Sequence, residues 1–288
     1  MVIGIIFSVV ALVGWGLGDF FIQRTVRKTS VPSAVCYIGL FASIALLPFV
    51  WHEIPLIWSS QNNLFLIGGL AILTLVCAIV EFAAFGEGKI AVLEPVLSSE
   101  LPLTVILGVA LLHETLSLWQ VVLMIAVFIG ITLVVTVQAG HLRHRHVLLE
   151  RGTLLALFSV VGLAVGNVLV AMASRNISPL LTVWSTFLFI GISTFLYIIM
   201  SGKFGQFVNN FKQNKILVLA ESFFDTLGWV AFAYATTYTS LAAATTISES
   251  YVILAIGLGL YFNKEKLRLH QLVGLPIAIV AILVFFFY

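Results

Sequence analysis

Seven carboxyl side chains stand inside long apolar runs: Asp19, Glu81, Glu94, Glu100, Glu221, Asp225 and Glu249. A charged carboxylate at the centre of a hydrocarbon layer costs at least about 2.5–3.5 kcal/mol, so such groups persist where they face a cavity, a partner or a proton path. No Lys lies in the interior of these runs. The chemistry open to the acids is therefore cation binding and proton carriage. An acidic cavity of low dielectric attracts protons, amines and the ammonium end of an amino acid, and removal from water disfavours the charged form of a carboxyl. Glu100, Asp225 and Glu249 fall nearest the middle of their runs and are the leading candidates for ligands or proton carriers. Asp19, Glu81 and Glu94 lie nearer run ends, where snorkelling or helix capping competes with a cavity role. At helical spacing, Glu221 and Asp225 share a face that Trp229 continues, Glu94 shares one with Ser98, and Thr245 with Glu249. Trp15, Trp229 and Tyr251 can wall a cation through their ring faces, against the plainer reading of core or lipid packing.

The elements that must position these groups are helices. Ten apolar runs, at 3–22, 33–51, 64–85, 91–111, 118–138, 152–173, 179–200, 215–237, 241–262 and 270–288, nearly fill the 288 residues. About 20 helical residues cross a bilayer core, and a spanning segment must satisfy its backbone internally, which selects helix. Composition agrees: 61% hydrophobic and 9% charged residues, with a mean hydropathy of +1.16. The first run lacks a basic leader segment and reads as a helix that stays in the protein. Trp51, Trp58 and Trp119 read as interface anchors.

Thirteen of the 14 Lys and Arg residues lie in or beside alternate loops: Arg24, Arg27, Lys28, Lys89, Arg143, Arg145, Arg151, Lys203, Lys212, Lys215, Lys264, Lys266 and Arg268. Arg175 alone falls on the other face. By the positive-inside rule the basic loops are cytoplasmic and both termini lie outside. The small net charge of +2 gives no footprint for nucleic acid. His141, His144 and His146 allow a metal-binding reading of the central connection, but a basic linker is the simpler one. Cys36 and Cys77, both within runs, read as packing residues. No cofactor or metal centre is expected, and the oligomeric state is not readable.

The chain repeats itself. An offset of 151 superposes Ala91-Val92 on Ala242-Ala243, Ser99 on Ser250, Gly108 on Gly259, Glu114 on Glu265 and Gln120 on Gln271. An offset of 148 superposes Gly4, Val13, Gly14 and Gly18 on Gly152, Val161, Gly162 and Gly166. In these registers Asp19 matches Asn167, Ser98 matches Glu249 and Glu100 matches Tyr251. Each copy holds five helices, an odd number, so the copies enter the membrane from opposite faces. The expected fold is all-α integral membrane: ten transmembrane helices as two inverted five-helix repeats, at 1–138 and 152–288, joined by a basic cytoplasmic linker at 139–151. Inverted repeats recur in secondary transporters, with the substrate site at mid-membrane where the copies meet. Pro95 and Pro102 remove backbone donors beside Glu94, Ser98 and Glu100, a break that can free carbonyls for a ligand or merely kink the helix. The pairs Gly14/Gly18 and Gly162/Gly166 allow close helix contact and lead us to expect spans 1 and 6 to cross near the pseudo-twofold axis.

The segment from Ala91-Val92-Leu93-Glu94-Pro95 through Glu114 to Leu116-Ser117-Leu118-Trp119-Gln120, and its counterpart from Ser240-Leu241-Ala242 through Glu265 to Leu267-Arg268-Leu269-His270-Gln271, resemble EamA repeats of the drug/metabolite transporter superfamily. The resemblance implies ten helices and export or exchange of a small metabolite or drug, with no substrate named. One departure is the loop Trp51–Asn63, basic in many relatives and here without Lys or Arg. The expected function is a secondary-active carrier in a bacterial or archaeal plasma membrane, moving a small cationic or zwitterionic metabolite by alternating access, with protons as a candidate coupling ion. The alternative is a flippase for a lipid-linked or amphiphilic substrate. An enzyme is not expected. Gly16-Leu17-Gly18-Asp19 matches the G-x-G-D string of intramembrane aspartyl proteases, but that chemistry needs a second Asp across a facing helix, and Asp225 stands seven spans away. Nucleophile-elbow and zinc-protease signatures are missing.

Overall fold

A computed structural model describes residues 2–87, 96–135, 151–251, 254 and 269–285. The described residues contain helices and turns but no strand. The helices are α1 (Val2–Lys28), α2 (Val31–Val50), α3 (Gln61–Glu87), α4 (Glu100–Leu112), α5 (Leu118–Val135), α6 (Arg151–Asn176), α7 (Pro179–Met200), α8 (Phe204–Tyr238), α9 (Leu241–Ser248) and α10 (Leu269–Phe285), with a short 3₁₀ turn at Ile54–Trp58. Six of them, α1, α2, α3, α6, α7 and α8, are long and apolar enough to cross a membrane, with mean hydropathy between 1.6 and 2.5. The protein is an integral membrane protein.

Local chemistry sets the helix starts. Ser30 caps α2, its Oγ accepting from the Ser33 N–H at 3.4 Å, and Ser178 caps α7 by accepting from the Leu181 N–H at 3.3 Å. Each cap is followed by a proline in the first turn, where a missing N–H costs nothing. The two serines are separated by 178 − 30 = 148 residues, the offset that relates the two halves. Within α8, Asn214 leaves helical geometry (φ −123°, ψ 24°). That kink divides a polar leading segment from the apolar stretch that the sequence places at 215–237.

Two long runs are not continuous helices. A turn at Ser98-Ser99 precedes α4, and one at Glu249-Ser250 follows α9. In each, the second serine closes a tight i→i−3 bond: Ser99 N–H to Val96 O at 3.1 Å, and Ser250 N–H to Ile247 O at 3.2 Å. The first break has the flanking prolines that forecast it; the second has none.

The principal packing pairs are α1 with α8, α2 with α7, α5 with α10 and α3 with α6, while α4 leans on α6 and α9 on α1. Small residues allow these approaches. A Cβ on Gly14 would meet the Gly228 N at 2.6 Å, and one on Gly39 would meet the Gly191 N at 2.5 Å. A Cβ on Gly162 would collide with the Cys77 sulfur, whereas one on Gly166 meets nothing within 4 Å. The repeated glycines thus seat α1 on α8 and α3 on α6, not α1 on α6 as expected. The reason is tertiary: a small-residue stripe announces a close neighbour without naming it. Ser178, at the start of α7, donates to Glu53, just past the end of α2, so these two helices run antiparallel.

One face carries a polar lock. His113 ends α4 in the left-handed conformation (φ 53°), which turns Glu114 toward the start of α9. There its carboxylate accepts from the backbone N–H groups of Leu241 at 2.7 Å and Ala242 at 3.2 Å. The donors of a helix N-terminus favour an anion. Arg175 completes the lock, donating to Glu114 Oε1 and, through Nε, to the Thr236 carbonyl, each at 2.7 Å. The cation that stood apart from the other thirteen is therefore neutralised where it lies.

Candidate functional site

A cavity of about 80 Å³ lies between the helices. Its chemistry comes from five carboxyls: Asp19 on α1, Glu81 on α3, Glu100 on α4, Asp225 on α8 and Glu249 in the turn after α9. Trp15, Trp229 and Tyr251 add aromatic wall, and Asn167 on α6 adds an amide. None of the lining residues is Lys or Arg. Among the described residues, seven helices and the turn after α9 contribute to the lining; α5 and α10, which pack on each other, do not.

Each carboxyl reaches the cavity for a local reason. Gly18 brings α1 against the backbone of α8, where an added Cβ would lie 3.4 Å from the Asp225 N, so Asp19 and Asp225 enter side by side. The turns at Ser98-Ser99 and Glu249-Ser250 deliver Glu100 and Glu249 at helix ends, and the two side chains are within hydrogen-bonding reach. Asn167 donates Nδ2–H to Glu100 Oε1 at 2.7 Å, with Thr104 Oγ1 at 3.5 Å. The Trp15 ring meets Trp229 edge-on with centroids 5.1 Å apart and packs on Phe232 at 5.2 Å. Gly228 makes that possible, because a Cβ there would stand 2.5 Å from Trp15 Cδ1.

Of the eleven residues singled out in the sequence, the structure brings eight to this cavity: Glu100, Asp225, Glu249, Asp19, Glu81, Trp15, Trp229 and Tyr251. Asp19 and Glu81 join the central acids here, although their positions near run ends left capping open. Ser98 is buried in the turn, 4% exposed, and is not among the lining residues. Glu221 is fully buried one turn from Asp225 but outside the cavity, near Thr25 of α1, and among the described residues neither of its oxygens has a partner within hydrogen-bond geometry. Glu94 and its neighbour Pro95 lie outside the described residues, as do His141, His144 and His146. Asn167 and Cys77 are lining residues that sequence reasoning did not select. For Asn167 the signal was its register with Asp19; for Cys77 there was none beyond its place in a run. The two aspartates of the protease comparison do face one cavity from packed helices.

The described residues thus form a helical membrane protein with an acidic, aromatic-walled internal cavity. The model of the EamA-like transporter family matches residues 2–136 and again 150–287, and the chain belongs to that family. Its members are membrane transporters of the drug/metabolite type, not enzymes. Among solved structures, one titled only "Crystal structure of protein" is similar over 98% of this chain and 95% of its own, with a TM-score of 0.71 at 13% identity. At that identity the likeness concerns the fold. Among curated proteins, none matches.

Proposed function

We propose that this transporter is a secondary-active exporter or exchanger of a small cationic or zwitterionic metabolite, such as an amine or amino acid, in a bacterial or archaeal plasma membrane. The observation that carries the reading is the convergence of five carboxyls from five separate segments on one cavity, with no basic side chain among the described lining residues. Carboxyls gathered around one cavity favour cations that enter from outside the protein, either ligand ammonium groups or protons. Trp15, Trp229 and Tyr251 suit the remaining faces of an ammonium ion. A lining drawn from seven helices and the turn after α9 supports a soluble solute over a lipid-linked one.

Alternating access by two inverted five-helix repeats fits the packing. Exchanging α1 with α6, α2 with α7, α3 with α8, α4 with α9 and α5 with α10 turns the α1–α8 contact into α3–α6 and the α4–α6 contact into α9–α1. It leaves α2–α7 and α5–α10 as self-matched pairs. The antiparallel course of α2 and α7 supports inversion, and the matching turns at Ser98-Ser99 and Glu249-Ser250 are discontinuities of the kind that build midplane sites. Ten crossings, cytoplasmic basic loops and external termini complete the proposal.

Uptake of radiolabelled amines and amino acids into proteoliposomes, with and without a pH gradient, tests it. For the solute that moves, Glu100→Gln, Asp225→Asn and Glu249→Gln each lower flux about tenfold or more, the effect of losing a charged hydrogen bond of roughly 1.5–3 kcal/mol. Undiminished flux in all three variants overturns the assignment.

A further inference from the structure

Two pairs of polar side chains at the cavity join helices from different halves of the chain, and they occupy matching places in the repeat. Asn167 on α6 donates to Glu100 on α4 at 2.7 Å. Asp19 on α1 has Tyr251, just after α9, within reach across the cavity, where a Cβ on Gly16 of α1 would lie 3.3 Å from the Tyr251 O. The partners match pairwise, since 167 − 19 = 148 and 251 − 100 = 151, the offsets that relate the first and the last helices of the halves. The amide of one clasp thus stands where the other has its acid, and the acid of the first stands where the other has its phenol. In both, the carboxyl comes from the first half and the neutral partner from the second. All four groups line the cavity, and Asn167, Glu100 and Tyr251 are 1%, 5% and 5% exposed.

This arrangement makes the two clasps compete with a cationic ligand. The Asn amide N–H and the Tyr hydroxyl offer donors to carboxyl oxygens, the same oxygens that an ammonium group would take. A ligand shifts a conformational equilibrium only through different affinities for its states, and a contested hydrogen-bond partner supplies that difference. We infer that Asn167 and Tyr251 are positioning residues that hold the empty cavity together across the two halves, by way of the carboxyls the substrate uses, so that substrate arrival frees α6 from α4 and α9 from α1. This rests on the carrier reading and adds to it the link between occupancy and movement.

Cys77 lines the cavity and Cys36 does not, so Cys36→Ser leaves one native reporter thiol. In substrate-free proteoliposomes of that variant, alkylation of Cys77 by a membrane-impermeant maleimide is timed before and after adding Asn167→Ala, Tyr251→Phe or Asn167→Gln. The expected result is a roughly fivefold faster reaction in Asn167→Ala and in Tyr251→Phe, the population change that follows from losing a bond of about 1 kcal/mol. Asn167→Gln, which keeps the amide, stays near the parent rate. Tyr251→Phe removes a single oxygen and so guards against a folding defect in the alanine variant. Unchanged alkylation in both, or a glutamine variant as fast as the alanine one, overturns the inference. Because the rate is read without substrate, loss of the clasp alone appears as unchanged alkylation with intact flux. Failure of the carrier reading alone appears as faster alkylation in a protein that moves no amine or amino acid.

Discussion

Glu221 stands in the α1–α8 contact region with no exposure and, among the described residues, no partner in hydrogen-bond geometry for either oxygen, whereas Asp225, one turn along, reaches the cavity. A buried, unsatisfied polar group is destabilising, and an apolar group of similar shape is often neutral or better in its place. Glu221→Met is therefore expected to raise the melting temperature in detergent, by an increment equivalent to about 1–2 kcal/mol, and scanning fluorimetry reads it. If flux also loses its dependence on a pH gradient in this variant, Glu221 is a proton carrier apart from the cavity; if the variant is less stable than the parent, the carboxyl has a partner that matters. Residues such as Glu100, Asp225 and Glu249 were legible in the sequence because a carboxyl in an apolar run is costly enough to demand a reason. Asn167 was not selected, because an amide costs far less there and a single one does not stand out. Cys77 gave no sign of facing a cavity, since its contact with Gly162 makes it a packing residue as well.

At the scale of elements, the lock of Glu114 on α9 and Arg175 makes a sharp prediction. Glu114→Gln removes the charge that answers two backbone donors and a guanidinium. It should lower stability by about 1–3 kcal/mol, the usual effect of weakening charged hydrogen bonds at a poorly exposed site, with thermal unfolding as the measure. Helix contacts offer a paired test. Gly39→Ala drives a methyl into the Gly191 backbone and Gly166→Ala meets nothing within 4 Å. The first should cost about 1–3 kcal/mol or more by overpacking, while the second is tolerated; equal melting temperatures would count against the α2–α7 crossing. Apolar length made the long helices readable in advance, and Pro95 with Pro102 flagged the turn before α4. The turn at Glu249-Ser250 carries no such residue and emerged only from the folded chain. The pairing of helices was likewise hidden, because Gly14 and Gly162 declare that something comes close without saying what.

At the scale of the molecule, the charge pattern and the packing make one claim about sidedness. Glu53, Glu114, Arg175 and Ser178 gather in the turns that the sequence assigns to the outer face, where Arg175 is the sole basic residue and is paired. A phosphatase that is active only after export, fused after Tyr288, should therefore be active, and a fluorescent protein that matures only in the cytoplasm should be dark there. The opposite pair of results reverses the orientation and leaves the fold intact. The crossing of α2 and α7 at Gly39 and Gly191 has a further consequence. Main chain rests on main chain at that point, with buried side chains such as Ile38 and Ile190 packed to either side. A bearing of that kind turns with little friction, so the barrier to swinging one half against the other should come from the rims of the bundle, leaving its middle free to pivot.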